Sequence, residues 1–193
     1  MDEFILYLKM GLYHVLDFSA YDHVLFLIAL AVIFSFYELK KVLWLITLFT
    51  IGHSLTLALS AYGVLKIDVK IVEFLIPVTI FITGVVNIFR MDKIASKKGN
   101  INLIFALFFG LIHGLGFSNY FRMMIGKEED KFLPLIEFAL GIEISQIIIV
   151  LGILIISTVL QSVIKISRRD LVMVISAIVV GFVIPMMIER VFW

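Results

Sequence analysis

The chain has 193 residues, of which 62% are hydrophobic and only 16% charged, with a mean hydropathy of +1.14. A soluble domain of this size is about half apolar and about a quarter charged, so this composition predicts a polytopic integral membrane protein. The net charge of +1 argues against a nucleic-acid partner, and the absence of cysteine removes disulfides, thiolate metal sites and thiol nucleophiles.

The chain opens with two acids, Asp2 and Glu3, where a cleavable signal would open basic, so no signal peptide is expected. Phe4 to Phe18 mixes Lys9, His14 and Asp17 with apolar residues. It suits an interfacial amphipathic helix or a re-entrant element, with a helix tucked against the mouth of a bundle favoured. Val24 to Tyr37 reaches spanning length only if it begins near Ala20. The runs Val42 to Leu65, Phe74 to Phe89, Ile101 to Phe121, Ile144 to Ile164 and Leu171 to Ile188 carry no charge. Each is a credible span, since a membrane-crossing helix needs about 20 mostly apolar residues. The expected fold is all-α: one transmembrane domain over residues 1–193, with six spans, or seven if the N-terminal segment crosses. Lys and Arg in the short loops favour the side of Lys40, Lys41, Lys97 and Lys98 slightly, which places both termini outside.

Ionisable residues inside such runs are costly and point to function. His14, Asp22, His23, His53, His113 and Glu143 lie within or at the edge of the runs and are all of metal-ligand type. In the six-span arrangement they descend from the outer mouth to mid-depth, as a vestibule leading to a buried metal site would. Nitrogen and oxygen donors suit zinc, nickel, iron or manganese better than copper(I). Thr50 shares a helix face with His53, Gln146 aligns with Glu143, and Asn87 ends a polar stripe with Thr79 and Thr83. With Ser54, they are the expected supports of the site. Gly110 and Gly114, four apart around His113, would let a neighbouring helix approach closely.

Plainer readings exist for each feature. A histidine in a span can serve only as a helix–helix hydrogen bond, and Asp22 can be a helix N-cap. Threonine and serine hydroxyls bond their own helix carbonyls. The pairs Met123-Met124 and Met186-Met187 read as packing, and the segment Gly126 to Lys131 as a solvated turn.

The runs YDHVLFLIAL, LFTIGHSLTLALSAYG, FFGLIHGLGF and EFALGIEISQ resemble the HupE/UreJ membrane proteins, over roughly Gly11 to Val150. The gap between His14 and Asp22 is wider than is common in that family, and a single histidine, His113, stands in the H-G-x-G-F run. The resemblance implies a small six- or seven-helix protein of the bacterial inner (cytoplasmic) membrane. It also implies a link to divalent metal, chiefly nickel uptake for hydrogenase and urease maturation, with the six residues above as the metal-associated set.

The leading expectation is therefore a divalent-metal permease or transport component, with nickel or zinc as the ion. The alternative is an intramembrane zinc hydrolase: three of the four histidines would hold zinc, Asp22 or Glu143 would act as general base, and Ser54 would stabilise an oxyanion. The sequence lacks H-E-x-x-H, which removes the common metalloprotease reading. A third reading, a proton path or assembly subunit without metal, needs only histidines titrating near neutral pH. Homo-oligomer formation is left open.

Overall fold

The computed structural model describes residues 2–17, 21–65, 67–94, 100–125 and 131–193. Seven helices follow one another: α1 (Asp2–Leu16), α2 (Asp22–Ala31), α3 (Leu39–Ala61), α4 (Val69–Ile94), α5 (Asn100–Ile125), α6 (Phe132–Ser162) and α7 (Arg168–Glu189). A 3-10 turn, Phe36–Glu38, leads into α3. Among the described residues there is no strand.

Five helices, α3 to α7, are long and apolar enough to cross a membrane. The expected span Val24 to Tyr37 is instead the 10-residue helix α2, which at 1.5 Å per residue covers about half the thickness of a bilayer core. It stops at Ala31 because a new helix entry is prepared just beyond: Ser35 caps the 3-10 turn, and its backbone N–H donates to Glu38 Oε2 at 3.2 Å. Arg168 at the start of α7 ties this corner down through Glu38 Oε2 at 3.2 Å and the Ile33 carbonyl. Ala20, Lys66, Lys97, Lys98 and most of the predicted turn at 126–131 lie outside the described residues.

α6 begins at Phe132, ahead of the uncharged run that starts at Ile144. Pro134 fits its first turn, where an absent N–H costs no helical hydrogen bond. The early start places two carboxylates, Glu137 and Glu143, inside a membrane-crossing helix.

The helices pack in pairs: α1 along α6, α3 along α5, and α4 along α7, with short α2 set among α1, α4, α6 and α7. Glycine makes two of these contacts backbone to backbone. A Cβ on Gly110 would strike the Phe49 carbonyl, and one on Gly114 the His53 carbonyl and the Thr56 hydroxyl, so α5 lies flush on α3. Gly11 and Gly141 fit α1 to α6 in the same way. Asn87 Nδ2 donates to the Ala29 carbonyl at 2.7 Å, fixing α2 against α4, and Ser145 Oγ donates to the Leu12 carbonyl at 3.0 Å. Phe26, Phe49, Phe138, Ile46 and Ile142 are wholly buried between the helices, while Ile51, Leu55, Ile148, Ile155 and Phe182 stand exposed on the outside, as a lipid-facing surface requires.

Candidate metal centre

Four histidines meet inside this bundle, each delivered by a different helix. His14 comes from the last turn of α1, His23 from the first turn of α2, His53 from α3 and His113 from α5. The rings of His14 and His23 lie 4.6 Å apart, His14 and His53 5.7 Å, His23 and His53 6.3 Å, and His23 and His113 5.5 Å. His14, His23 and His53 each offer a ring nitrogen within 4.8 Å of the other two, a spacing that lets one ion bind all three. His113 lies beside the triad, against His23.

The hydrogen bonds behind these rings set their tautomers. His23 Nδ1 is 3.0 Å from Asp22 Oδ1, and His113 Nδ1 is 2.9 Å from the Phe109 carbonyl. An Nδ1–H donated to each oxygen leaves the Nε2 lone pair free to bind, as in metal-binding histidines held by an outer carboxylate or carbonyl. The Nε2 atoms of His14, His23, His53 and His113, and Nδ1 of His53, are buried without a hydrogen-bond partner. Unpaired buried polar atoms are rare in folded proteins, and a group of them on four neighbouring rings suits the binding of a metal ion. Burial penalises the imidazolium form of His14 and, with His23 and His53 nearby, holds its pKa well below the ordinary value, so it stands ready as a neutral ligand.

The surrounding wall is aromatic. Phe117 packs on His14 at 3.9 Å between ring centroids, Phe138 stacks near His53 at 6.4 Å, and Phe26 and Phe49 flank His113 at 5.3 and 5.1 Å. This wall excludes water and lowers the local dielectric. The phenylalanines carry no chemical signature in the sequence; only the i±4 spacing of Phe49 to His53 and of Phe117 to His113 could have marked them.

Asp22 stands behind His23. Oδ1 also accepts the His23 backbone N–H at 2.8 Å, while Oδ2 lies 3.6 Å from Arg190 Nη1 at the end of α7. Burial opposes its charge, but the His23 hydrogen bond and the nearby cations outweigh it and hold the carboxyl well below the usual carboxylate range. Arg190, which the sequence reading placed only in a charge tally, also donates to the Glu73 carbonyl at 3.3 Å and so joins α7, α4 and α2 at one end of the bundle.

The remaining expected residues lie elsewhere. Glu143 turns to α3, where its carboxylate accepts from Thr47 Oγ1 at 2.6 Å and Thr50 Oγ1 at 2.5 Å. Gln146 Oε1 is 3.1 Å from the same Thr50 hydroxyl. Thr50 and Gln146 thus accompany Glu143, and Ser54 lines the groove beside them. Asn87 holds α2 through Ala29. The structure brings the four histidines and Asp22 together and sets Glu143, Thr50, Gln146 and Asn87 apart from the three-histidine group.

No curated protein and no solved structure matches the chain. A family model described as HupE / UreJ protein matches residues 1–190, nearly the whole length. With its membrane-crossing helices and its buried histidine group, the chain belongs to the HupE/UreJ family, a membrane family associated with nickel and cobalt transport.

Proposed function

We propose that this protein carries a divalent transition-metal ion across the membrane, with nickel the first candidate, and that His14, His23 and His53 hold the ion on its way while His113 offers the next ligand. The observation that supports this most is the set of four buried histidines whose Nε2 atoms have no protein partner. Three neutral imidazoles attract a divalent ion without trapping it, as a conduction site requires. Entry runs from the end where Asp22, Arg190 and Glu73 meet, the outer end in the orientation favoured by the loop charges.

The test is nickel uptake into proteoliposomes containing the purified full chain, beside His53→Ala and His113→Ala. Metal-dependent uptake by the native chain, lost in His53→Ala and reduced in His113→Ala, is the expected result. Equal uptake in all three would overturn the reading. Bound metal that survives chelator and shows no flux would turn the same centre into a resident-metal site.

A further inference from the structure

Glu143 raises a separate question, because it is a carboxylate deep in a membrane-crossing helix with no ion pair among the described residues. It lies 11 residues after the start of α6, about 16 Å along the axis. It opens on a groove of about 540 Å³ between α3 and α6. The walls are otherwise mainly Ile51, Leu55, Leu135, Ile136 and Leu140, and Glu143 is the only titratable group among the described residues lining them. A lone negative charge facing an apolar groove is among the most expensive arrangements in a bilayer.

The hydrogen bonds show a matching shortage. Thr47 and Thr50 have one hydroxyl proton each, and they serve four contacts. Thr47 meets Glu143 Oε1, while Thr50 meets Glu143 Oε2, Gln146 Oε1 at 3.1 Å and the Ile46 carbonyl at 3.1 Å. Gln146 is wholly buried, and its Nε2 has no partner. Turning the Gln146 amide would pair that nitrogen with Thr50 but would leave the carboxylate charge uncompensated. One added proton on Oε2 removes the uncompensated charge and supplies one of the missing donors. The carboxyl O–H donates to Thr50, Thr50 donates to Gln146 Oε1, and Thr47 donates to Oε1.

We propose that Glu143, seated by Thr47, Thr50 and Gln146, is a proton-binding site that opens on the α3–α6 groove and is separate from the histidine centre.

Dicyclohexylcarbodiimide, an apolar reagent that partitions into the bilayer, tests this on the full chain in metal-free phosphatidylcholine vesicles. The carboxyl proton passes to a carbodiimide nitrogen as the carboxylate oxygen bonds to the central carbon, and the O-acylisourea formed rearranges to a stable N-acylurea. Peptide mass spectrometry locates the adduct. The expected result is modification at Glu143 that quickens severalfold as the pH is lowered, is the same in sodium and potassium chloride, and vanishes in Glu143→Gln. Absence of the adduct across the pH range would overturn the proposal. Protection by sodium would overturn it in favour of an alkali-ion site.

Discussion

Asp22 shows how one residue serves the centre without facing it. Its Oδ1 is committed to His23 and its Oδ2 to Arg190, so its contribution is to orient an imidazole and raise its basicity. Asn at this position keeps the shape and removes the charge, and its amide nitrogen would face either His23 Nδ1–H or the Arg190 guanidinium, donor against donor. Asp22→Asn is expected to weaken nickel binding about 10- to 100-fold, as loss of an outer partner of a metal-bound histidine does. Calorimetry on the detergent-solubilised protein measures this, with unchanged helical circular dichroism as the control. Equal affinity would show that the carboxylate does not orient His23. At this scale the sequence was most readable: four histidines in an apolar chain, with Asp22 beside one of them, point to a metal. It could not show which way a helix is turned. Thr50 and His53 are three residues apart and looked like one face, yet Thr50 meets α6 while His53 meets the other imidazoles. That rotation turns Glu143 toward the threonines of α3, outside the group formed by His14, His23 and His53.

The helices show where counting apolar residues succeeds and where it fails. α3, α4, α5 and α7 appear close to their expected limits because lipid demands long uncharged runs. α6 carries Glu143 at mid-helix, as its expected depth required, and holds a second carboxylate that hydropathy did not single out: Glu137 is buried, while Glu143 is bonded to threonines. α2 was read long because the capping of the next helix entry by Ser35 and Glu38 is invisible to hydropathy. The wide gap between His14 and Asp22 is likewise harmless, because the two residues stand on separate helices, α1 and α2. What holds His53 in place is the glycine seam between α3 and α5. Gly114→Ala puts a methyl group against the His53 carbonyl and the Thr56 hydroxyl, and the carbonyl cannot retreat without moving α3. Overpacking of this kind costs about 1–3 kcal/mol. The expected result is a lower melting temperature in detergent together with weaker metal binding. Gly152→Ala, where a Cβ meets nothing within 4 Å, should leave both unchanged or raise stability slightly. Equal behaviour of the two variants would mean that close helix approach does not position the centre.

Across the whole molecule, the last turn of the last long helix reaches back to the first residue of α2. Arg190 joins Asp22 and the Glu73 carbonyl, so α7, α2 and α4 close together at the end where His23 enters. The pairing also decides the charge of the centre. With Arg190 present, Asp22 is answered and the ion meets neutral imidazoles, a balance suited to release. Without Arg190, a full negative charge stands behind His23. One charge about 8 Å from a divalent ion, at an effective dielectric constant of about 20, contributes up to about 4 kcal/mol, or roughly a thousandfold in affinity. Lost positioning of Asp22 works in the opposite direction, but its hydrogen bonds to the ring and backbone of His23 do not involve Arg190. Attraction should therefore prevail. Arg190→Gln is expected to bind nickel more tightly by calorimetry while carrying it more slowly in proteoliposomes, the two changes moving in opposite directions because a tighter site releases its ion less often. Weaker binding with slower uptake would mean that Arg190 serves only to fasten α7 to α2.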